Sequence, residues 1–321
     1  MKIRKSIVLG SFACMASLLF SCEKIYDEPQ GCGLFLDFKY DYNMLYADAF
    51  HSQVERVDVY VFDRDSNFVM KRSEKGKMLA ASDYRMPINI PSGEEKDYIV
   101  MAWAGSIDNF NIMPDKTNPA TIRELKLNMK QQESGINNTD IGSLWYGEIR
   151  DVKYLAQGIQ TETVNLIKDT NRFRIVLQKV GEGAPVSVDD MSFILLANNA
   201  FYNYKNEIVP THLINYQPYF TADVEGVGAV AELNTMRLIV DNPIQLIIRD
   251  NKNNKELLNI NLMNYLLATK MEGHNMSAQE YLDRQSEFTI ILFYNMVNNA
   301  PYLSAKIVVN DWTTWLQNED I

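Results

Sequence analysis

The sequence predicts an all-β protein of two successive β-sandwich domains, with a few short helices. Short apolar runs alternate with period two along most of the chain, and Asn-, Asp- and Gly-rich turns separate them. The 321 residues are 46% hydrophobic and 11% aromatic, enough to fill two ordinary cores.

The chain opens on a leader. Lys2, Arg4 and Lys5 precede an uncharged apolar run, Ile7 to Phe20, which at 14 residues is too short to cross ~30 Å of hydrocarbon at ~1.5 Å per residue. The run ends in Leu19, Phe20, Ser21 and Cys22, which resembles the lipobox of bacterial lipoproteins, although Phe20 is bulkier than the residue usual at that place. The expected cut falls between Ser21 and Cys22, with Cys22 the site of lipid attachment. Three acyl chains at ~0.8 kcal/mol per buried CH₂ anchor stably where one is marginal.

Cleavage there removes 21 residues and three positive charges, leaving 300 residues and taking the formal net charge from −10 to −13. Such an acidic chain repels phosphate backbones and has no basic cluster to offset this, so nucleic acid is excluded as a partner. Cys14 leaves with the leader and Cys22 carries lipid, so Cys32 stands alone and no internal disulfide forms. Cys32 reads as a buried apolar thiol. Residues 22–32 are a polar tether.

The strands follow. "GLFLDFKYDY" (33–42) is the first beyond the tether. "VDVYVF" sets Val57, Val59 and Val61 against Asp58, Tyr60 and Phe62, and "DYIVMAW" (97–103) is apolar on both faces, as in the middle of a sandwich. "RFRIVLQ" (172–178), "SFILLA", "RLIV", "IQLIIRD", "EFTIILFY" and "AKIVVNDW" continue to the C-terminus. Two stretches read as helix: "ATIRELKLNM" (120–129), from the spacing of Ile122, Leu125 and Met129, and "MSAQEYLDRQ", where Ser277 and Glu280 form a capping box. "NLMNYLLATK" is also helix-like. The polar stretch "LAQGIQTET" divides the domains into 33–160 and 161–321, and "VGEGAPVSVDD" (180–190) is the second choice.

Motifs of catalysis are missing. His51, His212 and His274 stand apart, and neither HExxH, CxxC, GxSxG nor GxxxxGK[ST] occurs. No catalytic residue, metal site or cofactor is expected. "DRDSNFVMKRSE" places Asp63, Asp65, Asn67 and Glu74 at calcium-loop positions, but Phe68 replaces the required glycine and the flanks are strands, so a hairpin turn is the better reading. Stacking on sugars would need exposed aromatics. Trp103 and Trp312 lie in or beside apolar strands and read as core, while Tyr40, Tyr42 and Tyr46 are more open to a surface role.

Taken together, Cys22, Cys32, "FKYDYNMLYADAFHSQVERVDVYVFD", "YIVMAWAG", "LWYG", "NLIKDTNRFRIVLQK", "MSAQEYLDRQSEFTI" and "IVVNDW" resemble the lipidated anchor subunits of fimbrillin-type (type V) pili. The resemblance covers nearly the whole mature chain. It implies two tandem transthyretin-like (Greek-key) sandwiches without an enzymatic site, held in the outer membrane by acylated Cys22, surface-exposed and part of a fimbrium. It implies a fimbrial stalk subunit as partner, contact by β-strand donation, and a limit on fibre length. Stalk subunits of such pili lose their first strand by proteolysis, whereas an anchor keeps it. Only Lys24 offers a trypsin-like cut between Cys22 and the first strand. At the other end, either the strand around Ile307 to Val309 donates or the tail simply closes the domain. The rival reading is a surface glycan-binding lipoprotein of similar modules.

Overall fold

The strand Arg56–Asp63 (β2) sets the architecture, because Val57, Val59 and Val61 on one face and Tyr60 and Phe62 on the other are all buried. A sheet apolar on both faces must be covered on both. The computed structural model describes residues 33–315 apart from 92–95, 116, 132–134, 156, 181–185, 271–274, 298–299 and 311, and it shows both covers.

β2 belongs to a five-stranded sheet in the order β11 (Ile167–Lys168), β9 (Leu144–Lys153), β5 (Asp97–Gly105), β2 and β3 (Phe68–Lys75). Its valine face meets a three-stranded sheet of β10 (Ile159–Asn165), β1 (Gly33–Lys39) and β4 (Met86–Ile88). Leu34, Leu36, Phe38, Met86 and Ile88 pack there against Val57, Val59, Val61, Val100 and Ala102. The opposite face carries Tyr60, Phe62, Met101 and Trp103. It shares a core with Phe110, Leu127, Met129 and Tyr202 of a sheet formed by β14 (Phe201–Asn203), β7 (Lys126–Met129) and β6 (Phe110–Met113).

Beyond Asp169 the chain changes sheets. A six-stranded sheet runs β16 (Phe220–Val224), β17 (Gly228–Met236), β12 (Thr170–Lys179), β20 (Glu287–Val297), β21 (Ala300–Val309) and β22 (Trp312–Trp315). It shares its core with a five-stranded sheet of β19 (Lys255–Asn261), β18 (Gln245–Asp250), β13 (Met191–Ala197), β15 (Ile214–Tyr216) and β8 (Ile136–Asn137). The protein is therefore all-β, built of successive sandwiches.

The two halves are interlaced. β14 of the second half pairs with β7 of the first, and β8 of the first pairs in parallel with β15 of the second. One apolar cluster runs without a break from Tyr60 and Trp103 to Phe173 and Ile290.

Three local expectations are corrected. Residues 120–129 form a single 3-10 turn, Ile122–Glu124, and then β7, not a helix. The turn satisfies the spacing of Ile122 and Leu125, and from Leu125 onward the buried residues Leu125, Leu127 and Met129 follow period two. "RLIV" is not a strand: β17 ends at Met236, and Arg237 turns away to pair with Asp283. Tyr40 is core, 2% exposed, not surface.

Both remaining helices form. Asn261 caps Leu262–Ala268 by accepting from the Met263 amide at 3.1 Å, and Ser277 caps Ala278–Arg284 by accepting from the Glu280 amide at 3.1 Å. The box is one-sided, because the Glu280 carboxylate accepts from Arg284 Nε at 2.8 Å. Trp103 is buried as expected, and Trp145 with it. The side chain of Trp312, His274, and residues 181–185 of the second boundary candidate lie outside what the structure describes.

Candidate functional site

Ser21, Cys22, Cys32 and the tether lie outside the described residues. What is described is the element on which any N-terminal attachment would pull, the strand β1.

β1 is built into its sheet on both edges. It runs parallel to β10 from Gly33↔Ile159 to Lys39↔Asn165 and antiparallel to β4 at Leu34↔Ile88, Phe35↔Pro87 and Leu36↔Met86. Period two sends Leu34, Leu36 and Phe38 into the core, each at most 2% exposed. At ~1.5–3 kcal/mol apiece their burial is worth roughly 5–9 kcal/mol as an upper bound. Phe38 stacks on Phe50 with ring centroids 5.4 Å apart.

The segment after β1 is a compact loop closed by its own polar side chains. Asp48 Oδ1 accepts from the amides of Tyr40 and Phe50, at 2.9 and 3.0 Å. Asn43 donates to the carbonyls of Tyr40 and Ala47 and accepts from the Leu45 amide. Tyr40 packs edge-on against Trp145 at 5.6 Å, and burial pushes its phenol pKa up.

Arg284, at the end of the capped helix, reaches this loop from the far half of the chain. Its guanidinium lies over the rings of Tyr42 and Tyr46, 4.1 and 4.4 Å from their centroids, and donates to the carbonyls of Asp41 and Asn43 at 3.3 Å. The planar cation thus stacks with its faces while its edge hydrogen-bonds. "YDYN" and "QEYLDRQ", more than 230 residues apart, meet here. Neither motif by itself identifies Arg284 as the joining residue.

The other sequence candidates are not brought together. Asp63 and Asn67 make the expected hairpin turn, with the Asp63 amide donating to the Asn67 carbonyl at 2.9 Å and the Asn67 amide to Asp63 Oδ1 at 2.8 Å. Glu74 pairs opposite Val57, six residues from Asp63 along β2, or about 20 Å at ~3.3 Å per residue. It cannot share an ion with Asp63. His51 Nδ1 lies 2.9 Å from the Leu79 carbonyl, and His212 Nε2 lies 3.2 Å from Gln131 Oε1. Among the described residues no group of three or more His, Cys, Asp or Glu is placed to hold a metal.

Two buried carboxylates differ in their neighbours. Burial alone would raise the pKa of Asp58, but Arg56 and Lys71, both at 3.0 Å, outweigh it and hold the pKa below the ordinary value. Asp169, at the change of sheets, is pushed up to about 7 by burial, against the weaker pull of Arg237 and of Asn206, whose amide donates to it at 2.7 Å.

At the C-terminal end β21 is flanked by β20 and β22, with Ile307 opposite Leu292 and Thr314, so β22 is the edge strand. No helix among the described residues is long and apolar enough to cross a membrane.

Successive sandwiches whose first strand is paired on both edges, with a polar-aromatic contact behind it, define the class as a multi-sandwich all-β protein. The chain belongs to the fimbrillin-A associated anchor proteins Mfa1 and Mfa2, whose family model matches residues 27–318. It is 23% identical over 328 residues to the minor fimbrium anchoring subunit Mfa2 of Porphyromonas gingivalis, covering 97% of this chain and 95% of that one. The solved Mfa2 fimbrial anchor from the same organism superposes with a TM-score of 0.71 at 19% identity, over 89% of this chain and 99% of that one. A solved candidate polysaccharide-binding protein of Bacteroides thetaiotaomicron is similar at a TM-score of 0.81 and 36% identity, over 91% of this chain and all of the other.

Proposed function

We propose that this protein is the lipidated anchor subunit of a type V pilus, fixed by acylated Cys22 in the outer membrane with its sandwiches exposed at the surface. It holds the fibre there, contacts the stalk subunit by β-strand donation and limits fibre length. The observation that carries this reading is β1, paired on both edges and latched through Tyr42, Tyr46 and Arg284. A subunit tethered at its N-terminus must keep the strand that joins tether to fold, and keeping it closes its own groove to a donated strand. Growth then proceeds away from the membrane, and β22, which ends its sheet among the described residues, is the strand we assign to contact with the next subunit, in place of the internal strand around Ile307 to Val309. We keep the two expected domains, 33–160 and 161–321, and move their division to Asp169, where the chain passes from one sheet to the next.

The test joins two measurements. Deletion of the protein should give long fibres shed into the medium, and Cys22→Ser should release a folded, soluble chain. Unchanged fibres after deletion, or membrane retention of the serine variant, would contradict the assignment.

A second reading, surface glycan binding, draws support from the 36%-identical candidate polysaccharide-binding relative. Stacking on exposed tryptophan cannot serve it at Trp103 or Trp145, both 1% exposed.

A further inference from the structure

The three-stranded sheet of β10, β1 and β4 turns one face to the core and the other outward. Along β1 the half-buried Phe35 and Asp37 alternate with the buried Leu34, Leu36 and Phe38, so period two sends Phe35 to the outer face. At the end where the chain enters β1 that face is apolar. Phe35 lies between Pro87 of β4 and Thr161 of β10, and Ile159 stands opposite Gly33, which has no side chain to cover it. Met78 and Ile159 are 62% and 53% exposed, and with Phe35, Ala81 and Tyr84 they line an open groove of ≈ 480 Å³. Leu155, four residues before Ile159, is also exposed. One exposed apolar side chain means little, but several around one groove mark a surface that meets something apolar.

Charged side chains border this groove. Arg85 and Asp83 complete the lining, and Lys77 directly precedes Met78. The Arg85 guanidinium donates to a neutral partner, Thr161 Oγ1, at 3.4 Å. Long cationic side chains beside exposed apolar ones lay their stems on hydrocarbon and keep their charge among phosphate headgroups.

The position of the groove selects its occupant. Its floor is the start of β1, and the eleven steps from Cys22 to Gly33 reach at most ~40 Å at ~3.6 Å each. Acylation of Cys22 therefore holds this end of the first sandwich near the bilayer surface. We propose, resting on that acylation, that the groove of Phe35, Met78 and Ile159 lies against the lipid surface. Its apolar side chains enter the boundary between headgroups and acyl chains, and Lys77 and Arg85 meet the phosphates. The contact fixes the orientation of the sandwich on the membrane. It is too small to hold a free chain, so Cys22→Ser still releases the protein; the tether makes the contact by raising the local concentration of lipid around the groove.

The full chain, purified in detergent and reconstituted into vesicles of phosphatidylcholine and phosphatidylglycerol, tests this with an NBD fluorophore on Ile159→Cys, Cys32 being replaced by serine. Flotation with the vesicles is measured first. A chain that does not float lacks its acyl anchor, and the anchor reading and this one fall together. In a chain that floats, NBD emission is expected to shift to the blue relative to the same label on the Cys22→Ser chain in solution. Nitroxides on the lipid acyl chains should quench it at least twofold. Met78→Glu added to the labelled chain should reduce the quenching and leave flotation intact. Should Ile159→Cys fail to fold, the label on Met78→Cys reads the same two signals. Shielding without quenching by the labelled lipid would mean that a second copy of the chain covers the groove, and an unchanged spectrum would mean that nothing does. Either result, or equal quenching of a label on Leu213→Cys in the second half, would overturn the proposal and leave the anchor in place.

Discussion

The guanidinium of Arg284 stacks 4.1 Å from the centroid of the Tyr42 ring, joining the loop behind the first strand to a helix near the other end of the chain. The same cation covers Tyr46 at 4.4 Å and donates to two carbonyls of that loop. Tyr46 is exposed, so the stacking is worth about 0.5–1 kcal/mol on that side and more toward half-buried Tyr42.

Arg284→Ala should therefore destabilise the protein by about 1–3 kcal/mol, summing stacking and the charged hydrogen bonds. Arg284→Lys should recover less than half of the loss, because an ammonium has no planar fork to stack and bond at once. Limited proteolysis should show faster cleavage within residues 41–49 in both variants. A loop as resistant as in the parent would show that the Asp48 and Asn43 hydrogen bonds hold it alone.

Asp169 makes a prediction about pH. Its pKa is raised from 3.8 unfolded to about 7 folded, by burial first. Between those values the folded state keeps a proton that the unfolded state has lost, so stability falls as pH rises from about 4 to about 7 and is flat above. A gap of about three units is worth on the order of 4 kcal/mol. Asp169→Asn removes the titration, so the difference between variant and parent should grow from pH 4 to pH 7 in favour of the variant. Asp58 slopes the opposite way in the parent, and comparing the two proteins cancels it. Denaturant melts across that range measure the difference, and a constant offset would refute the assignment.

Gly105 ends β5 at φ +93°, and a Cβ there would stand 2.6 Å from Trp145 Cζ3 and closer still to the Ser143 carbonyl. Neither a backbone carbonyl nor a fully packed indole can give way. Overpacking at about 1–3 kcal/mol and the left-handed penalty at about 1–2 kcal/mol place Gly105→Ala at about 2–5 kcal/mol destabilised. Gly76, also at positive φ but with nothing within 4 Å of its Cβ position, should lose only the backbone part. Thermal melts of the two variants should differ accordingly.

Much of the fold was legible because both-face burial leaves a continuous apolar run, as in β2 and β5, and half-burial leaves alternation, as in β12 and β13. Helix caps were legible because a side chain reads its own neighbours, as Ser277 does. The sequence misled where spacing was ambiguous. Ile122 and Leu125 satisfy helix and 3-10 turn alike, and only the sheet partner of Leu127 decides. Interlacing of the halves through β8 and β14 had no local signal, since two- and three-residue strands are chosen by the edges they meet. Tyr40 looked like its neighbours Tyr42 and Tyr46, and what separates them is Trp145, a residue 105 positions away.

The last prediction concerns the strand that an anchor keeps. Removal of residues 33–42 would leave β10 and β4 with bare edges around an apolar floor of Val57, Val59, Val61, Val100 and Ala102. An unpaired edge beside buried apolar surface recruits another strand, because each restored pair supplies main-chain hydrogen bonds and pockets for alternate side chains. The shortened chain should therefore self-associate, and size-exclusion chromatography should show oligomers that the intact chain does not form. A synthetic peptide of sequence GLFLDFKYDY, added during refolding, should restore the monomer, while a variant with aspartate in place of Leu34, Leu36 and Phe38 should not. The inward residues, not the backbone alone, then select the strand, at roughly 5–9 kcal/mol of burial for the three side chains. A shortened chain that stays monomeric without peptide would mean that the groove collapses on itself, and retention of the first strand would lose its part in closing the anchor.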